Sequence, residues 1–167
     1  MRSKSLKRAL FNLAILAAVI LAFTEKSMAQ FSNPVAQASS AASIPNSQLM
    51  QPAVVAKLLQ SEGGTALILQ VGSHVMFAQA HIPGAIYAGP GSQAAGLQLL
   101  ESKVSKTPKG KLIVIYCGCC PWSRCPNMGP AYKRLRELGF TNVKALYIAN
   151  NFGDDWVAKG YSVEKGE

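Results

Sequence analysis

The chain has 167 residues, with seventeen Lys or Arg against eight Asp or Glu and a formal net charge of +9. Its basic residues are scattered, except for Lys133, Arg134 and Arg136 on one expected helix. No basic stripe interleaves with aromatic residues, which excludes a nucleic-acid-binding surface.

The N-terminus reads as a targeting segment. "MRSKSLKR" is positively charged, "ALFNLAILAAVILAF" is apolar, and Ser27-Met28-Ala29 places small residues before a cut at Ala29-Gln30. That order of parts is a secretory signal peptide over residues 1–29. The competing reading is an uncleaved anchor, but the run falls short of the ~18–20 residues of a span, and Asn12 interrupts it. The expectation is a periplasmic or secreted protein with no membrane attachment after cleavage. Losing residues 1–29 leaves twelve basic and seven acidic residues, a net +5, which serves solubility and the attraction of anions. Residues 30–46 are rich in Ser, Ala, Gln and Pro without a period and read as a flexible linker. Residues 47–167 suit one domain with a modest core.

Along that domain, "MQPAVVAKLLQ" has a helical apolar pattern with Pro52 in its first turn, where the missing N–H costs nothing. "TALILQV" (65–71) is a strand buried on both faces. "GSHVMFAQA" predicts a short helix, and "HIPGAIYAG" a turn leading into a brief strand. "SQAAGLQLLESKV" (92–104) is amphipathic and helical. "KLIVIY" (111–116), a β-branched apolar run, is the clearest strand and feeds directly into Cys117. "PAYKRLREL" (130–138) predicts a helix starting at Pro130 and ending at Gly139, so residues 118–129 form a stiff non-helical loop. "NVKALYI" is a further strand and "GDDWVAKGY" a terminal helix. Strands alternating with helices imply a parallel sheet covered on both faces, an α/β domain. Ligands in such folds bind beyond the carboxyl ends of the strands, which is where Cys117 falls.

All four cysteines lie in "YCGCCPWSRCPN", residues 116–127. Cys117 at a strand-to-helix loop is the candidate nucleophile, since inward N–H groups and a helix N-terminus lower a thiol pKa and favour an anion. Gly118, Cys119, Cys120, Trp122, Ser123 and Arg124 form the candidate substrate loop, with Arg124 its single cation. Cys119, Cys120 and Cys125 are candidate resolving or disulfide-forming residues. Cys117 and Cys120 also make the CxxC spacing of a thiol–disulfide redox protein. A thiolate copper or zinc module using the 117–125 cluster is the non-enzymatic alternative, although adjacent Cys119 and Cys120 are awkward for a tetrahedron. His81 is assigned to fixing its turn and His74 to a helix face. No cofactor is expected.

"HIPGAIYAG", "KLIVIYC", "LRELGFTNVKALYI" and "DDWVAKGYSV" together resemble the rhodanese family over roughly residues 48–164. The resemblance implies a small three-layer α/β domain with a central parallel sheet. It also implies a sulfurtransferase of the thiosulfate-dependent type, in which a cysteine takes a sulfane sulfur as a persulfide and passes it to a thiol or other thiophilic acceptor. Carried over by position, that cysteine is Cys117. A monomer acting on a small sulfur-containing anion is expected.

The chain departs from the family pattern in two places. Gln70 and Gly72 stand where the family usually has Asp and Arg. Counting back from Gly139-Phe140 against Cys-x-x-Gly-x-Arg-Ser puts the family's Ser on Met128, its Arg on Asn127 and its Cys on Trp122, so the loop is about five residues longer than usual. The related phosphatase loop needs Cys-x5-Arg; Cys117 to Arg124 is Cys-x6-Arg, which excludes it.

Overall fold

The computed structural model describes residues 40–61 and 66–166. The signal-peptide expectation and most of the linker lie outside them. After 3₁₀ turns at Ser40–Ser43 and Asn46–Gln48, the elements are β1 (Leu49–Met50), α1 (Pro52–Gln60), β2 (Leu67–Gln70), α2 (His74–Gln79) and β3 (Ile86–Tyr87). Then follow α3 (Ala94–Val104), β4 (Ile113–Tyr116), a 3₁₀ turn at Trp122–Arg124, α4 (Met128–Glu137), β5 (Val143–Leu146), α5 (Phe152–Asp155) and a 3₁₀ turn at Val157–Lys159.

The five strands form one sheet in the order β1-β5-β4-β2-β3, and every pairing is parallel. β4 is central, with Ile113 to Tyr116 in register with Leu67 to Gln70 of β2 on one side and Ile113 to Ile115 opposite Val143 to Ala145 of β5 on the other. All four of its residues are buried, as the β-branched run requires.

Strand alternation then sorts the core into two layers. Ile113, Ile115 and Cys117 pack with Leu100 and Val104 of α3 and with Met128, Ala131 and Leu135 of α4. Val114 and Tyr116 pack on the opposite face with Val55 of α1, Phe152 of α5 and Trp156. Cys117 therefore continues the face covered by α3 and α4. This is the α/β architecture expected from the sequence.

Several local details differ from the expectations. β1 occupies residues 49–50 where a helix was expected from Gln48; Pro52 sets the true helix start. α4 starts at Met128, two residues before Pro130, which sits in the first turn, where no helical N–H is needed. The loop before it also contains the short 3₁₀ turn. The terminal helix is split, with α5 ending at Asp155. Within the stretch read as a linker, Ala41 and Ile44 are buried in the α3/α4 layer.

Candidate active site

Cys117 leaves β4 at its carboxyl end with 4% of its surface exposed. Its sulfur lies 3.0 Å from that of Cys119, and Cys119 Sγ lies 3.5 Å from Cys120 Sγ. Cys125 is buried in the same layer, while Cys119 and Cys120 are half-buried against it. None of the four is joined to another by a disulfide. The residue between the two close sulfurs, Gly118, has φ +76°, a conformation that carries a steric cost for any side chain. A Cβ there would also come within 2.7 Å of Phe152 Cβ. Phe152 N donates to the Gly118 carbonyl at 3.0 Å, fastening the bend to the start of α5.

Three residues that the sequence marked only as departures from the family pattern complete the site. Asn127 is buried; its Nδ2 donates to Cys117 Sγ at 3.4 Å and lies 3.8 Å from Cys119 Sγ. Its Oδ1 accepts from Ser92 N at 3.1 Å and Ser92 Oγ at 2.8 Å, which fixes the amide with its donor facing the sulfurs. Gln70 Nε2 reaches the Cys117 carbonyl at 3.5 Å, while its Oε1 accepts from Gly72 N at 3.1 Å. Gly72 makes room for the Cys117 sulfur, since a Cβ there would sit 2.7 Å from Cys117 Sγ. The departure from the family at positions 70 and 72 is thus part of the cysteine's seat. Counting back along the loop had already singled out Asn127, as the position of the family's Arg.

The charge does not sit where the strand end suggests. The Cys119 thiol is pulled down to about 2 because the thiols of Cys117 and then Cys125 donate to it, which outweighs burial. Cys117 is pushed well up, because its thiol donates a hydrogen bond to Cys119 first and then to Cys125, and it is buried besides. Cys120 is pushed up to about 12 by burial and by donation to Cys119. Among the four thiols, Cys119 is the one pulled down, while Cys117, Cys120 and Cys125 are pushed up. Cys125 is pushed up overall: the Cys117 thiol lowers it, but donation to Cys119 and burial outweigh that, and the backbone N–H groups of Asn127 and Met128 at the start of α4 offset only part of the rise. The helix terminus was expected to serve Cys117; the Asn127 side-chain amide serves it instead.

The remaining loop residues lie further out. Trp122 packs on Tyr147, ring centroids 5.2 Å apart, and its N–H donates to the Ala149 carbonyl at 3.1 Å. Ser123 and Arg124 are exposed, and the Arg124 carbonyl lies 3.9 Å from Cys120 Sγ. His81, well away in sequence, holds its turn as expected: Nδ1 is 2.8 Å from the Phe77 carbonyl and the ring stacks on Phe77 at 3.9 Å. His74 is exposed, edge-on to Tyr87 at 4.7 Å. Among the described residues no group of three or more His, Cys, Asp or Glu is arranged to hold a metal ion. No helix among them is long and apolar enough to cross a membrane.

The fold and site define a class: parallel α/β domains that present a cysteine from the carboxyl end of the central strand. The family described as "Rhodanese-like domain" matches residues 51–147, and the chain belongs to it. Among solved structures it is similar to the BH2092 protein of Bacillus halodurans, at 24% identity over 71% of this chain and 77% of that one, TM-score 0.56. It is similar to the Saccharomyces cerevisiae single-domain sulfurtransferase RDL2, at 18% identity over 68% of this chain and 90% of that one, TM-score 0.51. It also resembles a thiosulfate sulfurtransferase of Pseudomonas aeruginosa, at 22% identity over 71% of this chain, TM-score 0.53, and spans only 20% of that longer protein. No curated protein matches the sequence.

Proposed function

We propose that this protein is an exported sulfurtransferase that carries a sulfane sulfur as a persulfide on Cys117. The reading rests on one observation: the strand-end thiol lies 3.0 Å from a second cysteine sulfur and under a fixed amide donor. The donor is a small sulfur-containing anion such as thiosulfate, and Arg124 is the loop cation that favours its approach. Cys119 takes the Cys117 proton along the short sulfur–sulfur contact. The Cys117 thiolate then attacks the outer sulfur of thiosulfate, the sulfur–sulfur bond of the donor breaks, and sulfite leaves with the bonding electron pair. Asn127 Nδ2 stays within reach of the sulfur throughout and stabilises its negative charge. A thiol or other thiophilic acceptor collects the outer sulfur.

Incubated with thiosulfate and no reductant, the protein is expected to release sulfite, up to one per chain, and to lose the free Cys117 thiol on its tryptic peptide. Cys117→Ser is expected to reduce sulfite release to background while the domain still folds; undiminished release from that variant would exclude Cys117 as the carrier. Export is checked by N-terminal sequencing of protein recovered outside the cytoplasm, which is expected to begin at Gln30.

A further inference from the structure

We propose that Cys119 resolves the Cys117 persulfide inside the loop, releasing hydrosulfide and leaving a Cys117–Cys119 disulfide. The inference rests on the sulfur-transfer reading and adds a further activity to it: net two-electron reduction of the bound sulfur by the protein's own dithiol.

The geometry favours this pair. The two sulfurs are 3.0 Å apart, about 1 Å beyond the ~2.05 Å of a disulfide bond. Residues two apart, at ~3.8 Å per peptide step, meet the ~4.4–6.8 Å Cα spacing of a disulfide once the chain bends between them. The bend exists at Gly118, with φ +76°, and Phe152 holds it there. The two remaining thiols have other partners as well. Cys125 hydrogen-bonds with Cys117 and Cys119 and is shared with the backbone N–H groups of Asn127 and Met128. Cys120 lies 3.5 Å from Cys119 on its far side, beside the Arg124 carbonyl at 3.9 Å.

The chemistry closes without an added reagent. Once Cys119 has taken the proton from Cys117 and sulfite has left, the pair is a Cys117 persulfide anion beside a Cys119 thiol. Cys119 sulfur attacks the inner sulfur, the Cys117 sulfur–sulfur bond breaks, and its electron pair leaves on the outer sulfur. The Cys119 proton leaves with it as hydrosulfide. Both cysteine sulfurs are oxidised by one electron each, and the departing sulfur gains two. Attack on the outer sulfur would merely move the sulfane atom to Cys119 and reduce nothing. Cys119 is the more exposed of the two sulfurs, so an external dithiol reductant attacks there, reopens the pair and restores the starting thiols. Such a dithiol is the partner this site requires for turnover.

The test is a single turnover of the reduced wild-type protein with thiosulfate, anaerobically and without added thiol. Sulfite, hydrosulfide and the state of the tryptic peptides 112–124 and 125–133 are all measured. The expected result is hydrosulfide equal to sulfite, with peptide 112–124 lighter by two hydrogens and fragment ions placing the bond between Cys117 and Cys119. Cys119→Ser is expected to release sulfite without hydrosulfide and to keep an additional sulfur on Cys117. Sulfite release with a stable persulfide and no hydrosulfide in the wild type overturns the inference but leaves the transfer reading standing. A disulfide that maps to Cys120 or Cys125 also overturns it. Absence of sulfite release overturns both.

Discussion

Two regions of this domain hold residue types capable of chemistry: the cysteine loop at 117–127 and the histidine turn at 81–85. Both bury a polar side chain, Asn127 in one and His81 in the other. In the turn every partner belongs to the fold. His81 bonds the Phe77 carbonyl, its backbone pairs with Glu164, and its ring stacks on Phe77. In the loop the partners are sulfurs that bond mainly to one another and to one amide. Fixed partners spend a group's bonding capacity on stability. Partners that can exchange protons keep it available for chemistry, and the loop gathers several of those where the turn has only the half-exposed Glu164 carboxylate, 3.7 Å from His81.

The largest blow to that contrast comes from Gly118→Val. A left-handed residue with a side chain costs about 1–2 kcal/mol, and crowding Phe152 costs about 1–3 kcal/mol more. The sulfurs are expected to separate, with sulfite release falling to background and a clear drop in melting temperature. A variant with normal activity would show that the bend does not set the site.

Asn127→Asp ranks next. It removes the amide donor and sets a carboxylate beside the thiolate, and like charge disfavours the ionised thiol. The midpoint of iodoacetamide alkylation against pH is expected to rise by on the order of one unit; an unchanged midpoint would remove Asn127 from the site.

The pH dependence separates the roles of the two close sulfurs. Cys119 is held far below the ordinary thiol range, so its thiolate survives as pH falls through the ~8.5 of a free cysteine. Sulfite release is therefore expected to stay flat from about pH 8 down to about pH 6. In Cys119→Ser the buried Cys117 must ionise alone, and the rate should fall about tenfold for each unit of acidification. A flat profile in that variant would show that Cys119 is not the proton acceptor. The smallest effect belongs to the turn. Glu164→Gln removes a half-exposed contact 3.7 Å from His81 and is expected to cost no more than about 1 kcal/mol, with sulfite release unchanged. Loss of activity there would join the two regions.

What the sequence revealed follows the physical range of each signal. β4 was readable because four consecutive buried residues on a central strand leave an unbroken apolar run, and that run leads into Cys117. α3 and α4 were readable from their apolar faces. β1 was not, since two residues carry no period, and α5 with its following turn merged into one expected helix. The site divides in the same way. The Cys117 position is local information; the seat is not. Ser92 orients Asn127 across 35 positions, and Gly72 acts by what it lacks, which no composition or periodicity marks. The location of the charge depends on which sulfur the others surround, a property of three-dimensional placement alone.

The segment before β1 has a practical consequence. The family match begins at Gln51, yet the 3₁₀ turn at Ser40–Ser43 packs against α4 and against the Trp122–Arg124 turn, and Ala41 and Ile44 lie buried there. Burying one isoleucine is worth about 1.5–3 kcal/mol. A fragment trimmed to the family boundary would strip the apolar backing from the helix whose leading edge carries Asn127. The smallest piece that keeps the Asn127 seat intact is accordingly longer at its front than the piece that defines the lineage, and its extra residues belong to the cysteine loop as much as to the domain.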